Sequence, residues 1–306
     1  MDREALAAID IGSNAIRLLI NYVEKFKKET EFKKAAFIRV PIRLGEDVFT
    51  SGNIGEEKLE KLTQAMKAFS HLMKTYNVVD YRACATSAMR EAGNGKDAVK
   101  NIARKTGIYI EIISGIEEAK TIYAGEGLSE VYNKDKPYLY IDVGGGSTEI
   151  IVYHNHSIAE SMSFPLGTVR IISGAADPEQ FKKMKKWLKS VKDQYSPQAI
   201  IGSGGNINKI FKMLNKKDRE IIRLSELNSL YKKLSDMTYE ERVEKLGLNI
   251  YRADVIIPAL KIFTMAGNEC GIGEYIVPKV GLSDGIIRQL YAKQIDKGKF
   301  NQPVNI

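Results

Sequence analysis

Two segments of the sequence place an aspartate, then glycine and small polar residues, between two apolar runs. They are residues 8–18 (AIDIGSNAIRL) and residues 142–149 (DVGGGSTE). Glycine lets the backbone approach a ligand closely, and successive N–H groups in a tight turn form a cradle for an anion. An aspartate at the end of a strand can also hold a metal ion. The pair therefore predicts two phosphate-binding loops, whose candidate residues are Asp10, Gly12, Ser13, Asn14, Gly144, Gly145, Gly146, Ser147 and Thr148.

The alternative for both segments is a glycine-rich hairpin turn that carries a surface carboxylate. Two copies of the pattern, each led by an aspartate, favour phosphate binding. A third glycine-rich turn, residues 202–205 (GSGG), precedes a predicted helix. Gly204 and Gly205 could meet a phosphate or a sugar at that helix N-terminus, or the segment could be a plain tight turn. The sequence has no Walker A pattern, and Ile207 breaks the G-x-G-x-x-G pattern of dinucleotide-binding folds.

Alternating strand and helix patterns surround these loops. Residues 7–20 predict a strand hairpin, and the apolar stripe of residues 56–76 predicts a helix. The opening pattern returns at residues 138–153, where an apolar strand again leads into Asp-x-Gly and a second strand. This repeat indicates an internal duplication that gives two similar α/β lobes with a cleft between them. Further predicted strands are residues 33–40, 81–85, 108–113 and 199–201, and further predicted helices are residues 117–125, 179–195, 206–214, 228–246, 253–266 and 284–294.

The length of 306 residues fits two domains of ordinary size. The predicted domains are residues 1–122, completed by the C-terminal helix at 284–306, and residues 123–283. Because no Pro/Ser-rich or low-complexity linker separates them, we expect a hinge within residues 121–136.

Composition narrows the class of protein. Hydrophobic residues make up 44% of the chain and charged residues 27%, as in soluble globular proteins, which excludes a disordered or collagen-like chain. No window of about 18 apolar residues and no signal-peptide pattern occurs, so we expect no membrane association. The two cysteines, Cys84 and Cys270, form no CxxC pair. Although counting alone allows a disulfide, we expect two reduced thiols in a cytoplasmic protein.

The formal net charge of +8 fits an anionic ligand, which could be a nucleic acid, an anionic membrane or a phosphorylated small molecule. No arginine-rich run, helix-turn-helix or aromatic RNA-binding motif accompanies this charge, so nucleic acid is not the expected partner. Six lysines between residues 182 and 192 could guide a polyanion, or they could form a solvated helix face.

The sequence resembles the exopolyphosphatase / guanosine pentaphosphate phosphohydrolase (Ppx/GppA) family, which belongs to the actin, hexokinase and Hsp70 superfamily of ribonuclease H-like folds. The matching stretches run in family order along nearly the whole chain. Besides the two loops, they are residues 43–46 (RLGE), 85–92 (ATSAMREA), 114–119 (SGIEEA), 164–170 (FPLGTVR), 202–205 (GSGG), 252–259 (RADVIIPA) and 281–285 (GLSDG). The last stretch departs from the GLREG-like form that is usual in the family.

The resemblance implies hydrolysis of a terminal phosphoanhydride with a divalent metal, Mg²⁺ or alternatively Mn²⁺. It implies that Glu118 is the general base that activates water and that Arg90 clamps the leaving or the terminal phosphate. Asp142 and Glu149 would hold the metal, and Asp10 is a further candidate ligand. Phosphoryl transfer needs positioning and positive charge, and several carboxylates around an anionic substrate make sense only with a cation among them.

The leading function expected from the sequence is that of an exopolyphosphatase, which releases orthophosphate from inorganic polyphosphate. The alternatives are hydrolysis of guanosine pentaphosphate (pppGpp) to the tetraphosphate and a non-catalytic nucleotide or polyphosphate sensor. Without the resemblance, Glu117 and Glu118 would be interpreted as acids that complement a helix dipole. Members of the family often form homodimers, so a homodimer is a further expectation.

Overall fold

The computed structural model of the chain describes residues 3–26, 29–123, 136–155, 157–278 and 280–296. The chain divides into two compact units: unit 1 contains residues 1–126 and 280–306, and unit 2 contains residues 127–279. Most of the predicted hinge, residues 124–135, lies outside the described residues, as do residues 297–306 of the predicted C-terminal helix.

Unit 1 is an α/β unit built on a mixed sheet with the strand order β3-β2-β1-β4-β5. The described strands are β1 (Arg3–Ile11), β2 (Ile16–Phe26), β3 (Glu29–Val40), β4 (Val78–Ala85) and β5 (Ile110–Ile112). The described helices are α1 (Leu44–Ser51), α2 (Glu56–Thr75), α3 (Ser87–Glu91), α4 (Gly95–Thr106), α5 (Gly115–Tyr123) and α13 (Leu282–Asp296). β1, β2 and β3 pair antiparallel, whereas β4 and β5 continue the sheet in parallel from β1.

The middle strand of this sheet is covered on both faces. Seven consecutive residues of β1 are buried, which a strand shows only when elements pack on both of its sides. The predicted apolar stripe on α2 is confirmed, since Leu62, Met66 and Phe69 are buried in the same hydrophobic cluster as the apolar residues of β1. The C-terminal α13 packs on β1 and on α5.

Unit 2 has a sheet with the order β10-β11-β9-β6-β7-β8. Its described strands are β6 (Tyr138–Val143), β7 (Thr148–His154), β8 (Ser157–Phe164), β9 (Ile200–Ser203), β10 (Ile222–Arg223) and β11 (Glu274–Ile276). Its described helices are α6 (Thr168–Ile172), α7 (Pro178–Tyr195), α8 (Gly204–Met213), α9 (Leu224–Ser235), α10 (Tyr239–Glu244), α11 (Ile250–Ala253) and α12 (Ile256–Cys270).

The two sheets share one topology, which confirms the predicted duplication. In each unit an antiparallel three-stranded meander (β1–β3 or β6–β8) continues through its first strand into parallel strands (β4 and β5, or β9 and β11). Each predicted phosphate loop joins the first two strands of its meander. Both loops therefore occupy the same place in their own unit.

The single helix predicted over residues 228–246 is wrong. α9 ends at Ser235, and α10 begins at Tyr239 after a capping box. The Thr238 hydroxyl accepts from the Glu241 N–H at 3.2 Å, and the Glu241 carboxylate accepts from the Thr238 N–H at 2.9 Å. This reciprocal pair satisfies the free N–H groups of a helix start, so it begins a new helix inside a polar segment that looks like one continuous helix.

The helix predicted over residues 253–266 also needs correction, because α11 ends at Ala253 and α12 runs from Ile256 to Cys270. Cys84 and Cys270 are both buried and free, as expected from their spacing. Within the described ranges, no helix has the length and apolar character needed to cross a membrane.

Candidate active site

The first predicted phosphate loop joins β1 to β2 and is called loop 1 (residues 12–15). Asp10, near the end of β1, lies directly opposite Arg17 on β2. Cross-strand partners share one face of a sheet, and the buried carboxylate of Asp10 contacts the Arg17 guanidinium. Asp10 therefore has a cationic partner within unit 1, and its assignment as a metal ligand stays a prediction.

Two other segments of unit 1 hold loop 1 in place. The buried hydroxyls of Ser13 and Ser87 form a hydrogen bond of 2.8 Å. The carbonyls of Ser13 and Asn14 accept from the N–H groups of Gly45 at 2.9 Å and of Arg43 at 3.0 Å. Among the described residues, the buried Oδ1 atom of Asn14 has no hydrogen-bond partner. Because a side-chain amide can present either oxygen or nitrogen after a half-turn, Asn14 can offer a donor to a phosphate.

Arg90 lies on α3, directly after β4. Its backbone N–H donates to the Thr86 carbonyl at 3.0 Å, and its Nη1 atom donates to the Ile113 carbonyl at 2.8 Å. The second bond fixes the direction of the side chain with one of the five N–H groups of the guanidinium. A phosphate clamp would use the others.

The two adjacent acids at the start of α5 have different surroundings. The Glu117 carboxylate accepts from Arg82 Nη2 at 2.7 Å, and its backbone N–H donates to the Ser114 hydroxyl at 3.1 Å. Glu118 is half-buried, and its backbone N–H donates to the Ser114 carbonyl at 2.9 Å. Glu117 thus serves in an ion pair, whereas Glu118 is the acid that the family resemblance assigns to catalysis.

In unit 2, four polar residues form a row across the sheet. Asp142 on β6 lies opposite both Glu149 on β7 and Ser203 on β9, and Glu149 lies opposite Ser163 on β8. Glu149 is 2% exposed, and its Oε1 atom accepts from the hydroxyls of Ser147 at 2.6 Å and Ser163 at 3.0 Å. The register therefore places two carboxylates side by side on one face of the sheet.

The second predicted phosphate loop is called loop 2 (residues 144–147). Its carbonyls accept hydrogen bonds from the first turn of α6: Gly144 O accepts from Thr168 N at 3.0 Å, and Gly145 O accepts from Val169 N at 2.8 Å. Gly146 O accepts from Arg170 Nε at 2.7 Å. No acceptor for the N–H groups of Gly145 and Gly146 lies among the described residues. Loop 2 thus has its carbonyls occupied and N–H groups to offer, which is the arrangement an anion needs.

This arrangement depends on the close approach of the Gly167 backbone to the backbone of loop 2. A Cβ atom at Gly167 would lie 2.3 Å from backbone atoms of Gly145 and Gly146, closer than any side chain tolerates. The stretch at residues 164–170 therefore supports loop 2 from outside the loop. Sequence reasoning matched this stretch to the family but gave its residues no role.

The third glycine-rich turn starts α8 beside Asp142. Gly204 has a φ of +89°, and a Cβ atom there would lie 2.3 Å from Asp142 Oδ1. The Gly205 carbonyl accepts from Arg252 Nη1 at 2.6 Å, and Asn206 Nδ2 donates to the Val143 carbonyl at 3.2 Å. Glycine is required at residue 204 because the Asp142 carboxylate occupies the space that a side chain would take.

The donor set of unit 2 fits Mg²⁺. Two carboxylates at directly opposed positions repel each other when both are ionised, and a divalent cation relieves that repulsion. The described residues contain no cluster of three or more His, Cys, Asp or Glu that could enclose a metal. Mg²⁺ is commonly held by only one or two carboxylates, together with waters and substrate phosphates. The pair of Asp142 and Glu149 matches that pattern.

Comparison with known proteins identifies the family. Residues 25–294 match the Ppx/GppA phosphatase family. The chain belongs to this family. The bifunctional 3-dehydroquinate synthase/phosphatase of Fusobacterium nucleatum is 30% identical over 277 residues, which cover 82% of this chain and 41% of that protein. Exopolyphosphatase 2 of Mycobacterium tuberculosis is 26% identical over 314 residues, which cover 93% of this chain and 98% of that protein. The chain thus spans less than half of the first relative and nearly all of the second.

Solved structures confirm the fold. An exopolyphosphatase from Cytophaga hutchinsonii superposes with a TM-score of 0.81 at 23% identity, covering 96% of this chain and 98% of that one. The Aquifex aeolicus PPX-GPPA enzyme gives a TM-score of 0.75 at 23% identity, covering 94% and 100%. The predicted class, α/β with two duplicated lobes, is therefore correct. Ppx/GppA phosphatases are hydrolases, and this general class applies to the chain.

The two hairpins of this Ppx/GppA chain differ in one informative way. In each hairpin, the residue seven positions after the leading aspartate lies directly opposite it. That residue is Arg17 in unit 1 and Glu149 in unit 2. Unit 1 therefore places a cation opposite its aspartate, whereas unit 2 places a second carboxylate opposite its aspartate. Sequence reasoning missed Arg17, although the equal spacing of the two repeats would have indicated it.

Proposed function

We propose that the chain is an exopolyphosphatase, which hydrolyses the terminal phosphoanhydride of inorganic polyphosphate and releases orthophosphate. The observation that carries the proposal is the structure of loop 2. Its carbonyls accept hydrogen bonds from α6, and its N–H groups lie next to the Asp142–Glu149 pair. A phosphate cradle beside two carboxylates is suited to a phosphorylated substrate that binds with a cation. The relatives named exopolyphosphatase add support.

Asp142 and Glu149 would hold Mg²⁺, which when bound supplies positive charge to the phosphate oxygens. Glu149 is suited to this role because its position is fixed by hydroxyl donors on both sides, Ser147 and Ser163. Asp142 is fixed by its place in β6 and by the glycine at residue 204. Fixed ligands lower the cost of organising the site when substrate binds.

Glu118 acts as the general base in this proposal. Its carboxylate takes a proton from the attacking water, the water oxygen bonds to the terminal phosphorus, and the bridging P–O bond breaks. The products are orthophosphate and a chain shorter by one phosphate. Glu117 is unsuited to this role because its carboxylate is already engaged by Arg82.

Phosphoryl transfer spreads negative charge over the oxygens of the transferred group. Arg90 and the N–H groups of loop 2 are the donors that would meet this charge. Arg90 is suited to the task because its bond to the Ile113 carbonyl holds the guanidinium in one direction. Donors that are already oriented need no reorganisation during the reaction.

The test measures orthophosphate release with Mg²⁺ from medium-chain polyphosphate and, in parallel, from guanosine pentaphosphate, ATP and GTP. We expect polyphosphate to be the preferred substrate, and we expect Glu118→Gln to lower the rate by about 100-fold or more, as loss of a general base does. Glu60→Gln, the same change at an exposed position on α2, is the matched control. Release only from guanosine pentaphosphate would refute the proposal in favour of the alarmone phosphohydrolase. Tight binding without turnover would refute it in favour of the sensor.

A further inference from the structure

The helix that carries Glu118 is short and is tied to its surroundings through another residue. α5 has nine residues, Gly115–Tyr123, and a helix of this length has little stability of its own. The direction of the Glu118 side chain therefore depends on how neighbouring elements hold α5. The inference that follows rests on the proposed function, because it concerns the base of that reaction.

Arg82, on β4, connects four elements of unit 1 with one side chain. Its Nε and Nη2 atoms donate to Glu111 Oε2 on β5 at 3.0 and 2.7 Å. Nη2 also donates to Glu117 Oε1 on α5 at 2.7 Å, and Nη1 donates to Gln289 Oε1 on α13 at 2.9 Å. The Arg82 side chain is 18% exposed, so the junction is largely covered by protein. A planar guanidinium with several fixed donors can hold partners in definite directions, which an ammonium group cannot do.

A second tie secures the same face of α5 one turn further on. Glu117 and Thr121 are four residues apart and therefore share a helix face. Gln289 Nε2 donates to the Thr121 hydroxyl at 3.3 Å, so Gln289 bonds both to Arg82 and to α5. At Gly285 on α13, a Cβ atom would lie 1.8 Å from the Thr121 carbonyl oxygen. Gly285, the second glycine of the GLSDG stretch, thus allows α13 to contact the α5 backbone directly.

These ties fix the rotation of α5 about its own axis. Adjacent residues on an α-helix point about 100° apart. With Glu117 held by Arg82 and Thr121 held by α13, the helix cannot rotate without breaking both ties. The direction of Glu118, one residue beyond Glu117, is set by the same contacts.

We propose that Arg82 is a positioning residue for the general base: its contacts with Glu117, Glu111 and Gln289 set the rotation of α5 and thereby the direction of Glu118. Arg82 itself touches no reacting atom in this scheme. Its effect on the reaction passes entirely through Glu118.

The experiment compares kcat and KM for polyphosphate in wild type, Arg82→Met and Arg82→Lys. Arg104→Met, on the exposed side of α4, is the matched control. A misplacement of about 1 Å can cost about 100-fold in rate, so we expect kcat to fall about 10- to 100-fold in Arg82→Met with KM within about twofold. Arg82→Lys should restore little of the lost kcat, because lysine keeps the positive charge but lacks the planar guanidinium with its several fixed donors. Gln289→Leu removes the bonds of Gln289 to Arg82 and to Thr121 but leaves the bonds of Arg82 to Glu111 and Glu117 in place, so it gives a milder variant in case Arg82→Met folds poorly.

A second comparison repeats Arg82→Met in the Glu118→Gln background. If Arg82 acts through Glu118, the substitution has no further effect once the base is gone. Amide hydrogen exchange gives a readout independent of turnover, and we expect faster exchange in α5 of Arg82→Met with the exchange of β1 unchanged. The inference is overturned if Arg82→Met matches Arg104→Met, or if it slows the Glu118→Gln enzyme by the factor it slows wild type. An inactive wild type, or a Glu118→Gln variant at full rate, would instead count against the proposed function.

Discussion

The substitution Gly204→Ala adds one methyl group, which should have separate effects on stability and on activity. The residue has a φ of +89°, and its added Cβ would lie 2.3 Å from Asp142 Oδ1. A left-handed conformation costs an L-residue about 1–2 kcal/mol, so we expect a loss of that size in the free energy of unfolding. Ordinary contact begins at 3.4 Å, which means that the carboxylate must move by about 1 Å. A displacement of that size in a reacting group can cost about 100-fold in rate.

Gly174→Ala is the matched control for this prediction. Gly174 also lies in unit 2 and has a φ of +74°, but its Cβ would meet nothing within 4 Å. Urea unfolding should therefore show similar losses of about 1–2 kcal/mol in both variants. In the orthophosphate-release assay only Gly204→Ala should lose about 100-fold and need more Mg²⁺ for half-activation. Equal activity in the two variants would refute the claim that Asp142 must occupy the space beside residue 204.

Three further predictions concern other parts of the two units. Glu149→Gln keeps an oxygen that can accept from its hydroxyl neighbours but loses the charge. We therefore expect the Mg²⁺ concentration for half-activation to rise about 10-fold or more in a titration of activity, while the free energy of unfolding stays nearly unchanged. An unshifted titration would contradict the assignment of Glu149 to the metal site. Gly167→Ala places a methyl group against the backbone of loop 2. We expect the free energy of unfolding to fall by about 1–3 kcal/mol and the activity to fall as well. Wild-type kinetics in this variant would contradict the close approach of residue 167 to loop 2. Burial raises the pKa of both Cys84 and Cys270 to about 12. A thiol reagent at about pH 8 should therefore label neither cysteine until the chain unfolds. Fast labelling of the native protein would contradict their burial.

A pH-dependent prediction concerns the start of α13. Burial raises the pKa of Asp284 above the ordinary aspartate value. The folded state then holds this proton more tightly than the unfolded chain, so the contribution to stability is present at low pH and is lost as the pH rises past the ordinary aspartate range. Asp284→Asn should therefore gain stability relative to wild type between about pH 4 and pH 7. Urea midpoints measured across that range check this, and parallel curves would contradict it.

The fold and the two loops could be predicted because their signals are local. A strand, Asp-x-Gly and a second strand define a hairpin within about ten residues, and the same pattern at residues 8–18 and 142–149 revealed the duplication. The family resemblance predicted that Asp142 and Glu149 act together, and the register of the β6–β7 hairpin places them directly opposite each other. The error over residues 228–246 had a local cause too, since the Thr-x-x-Glu start of α10 was overlooked within a polar segment that was predicted as a single helix.

The supporting contacts could not be predicted in the same way, because they join residues far apart in the chain. Arg82 meets Glu111 and Gln289 only because strand order and helix packing bring β5 and α13 next to β4. The need for glycine at residue 167 arises from the approach of another loop, which no pattern around that residue records. Gly285 is similar, since its partner on α5 lies more than 160 residues earlier.

The most direct test of the central claim is the rate of orthophosphate release from polyphosphate by wild type and Glu118→Gln, each with Mg²⁺ and with chelator. We predict rapid release by wild type with Mg²⁺, loss of activity with chelator, and a fall of about 100-fold or more in Glu118→Gln, while Glu60→Gln behaves as wild type. Full activity in Glu118→Gln would contradict the assignment of the base. Undiminished release in chelator would contradict the metal role of Asp142 and Glu149.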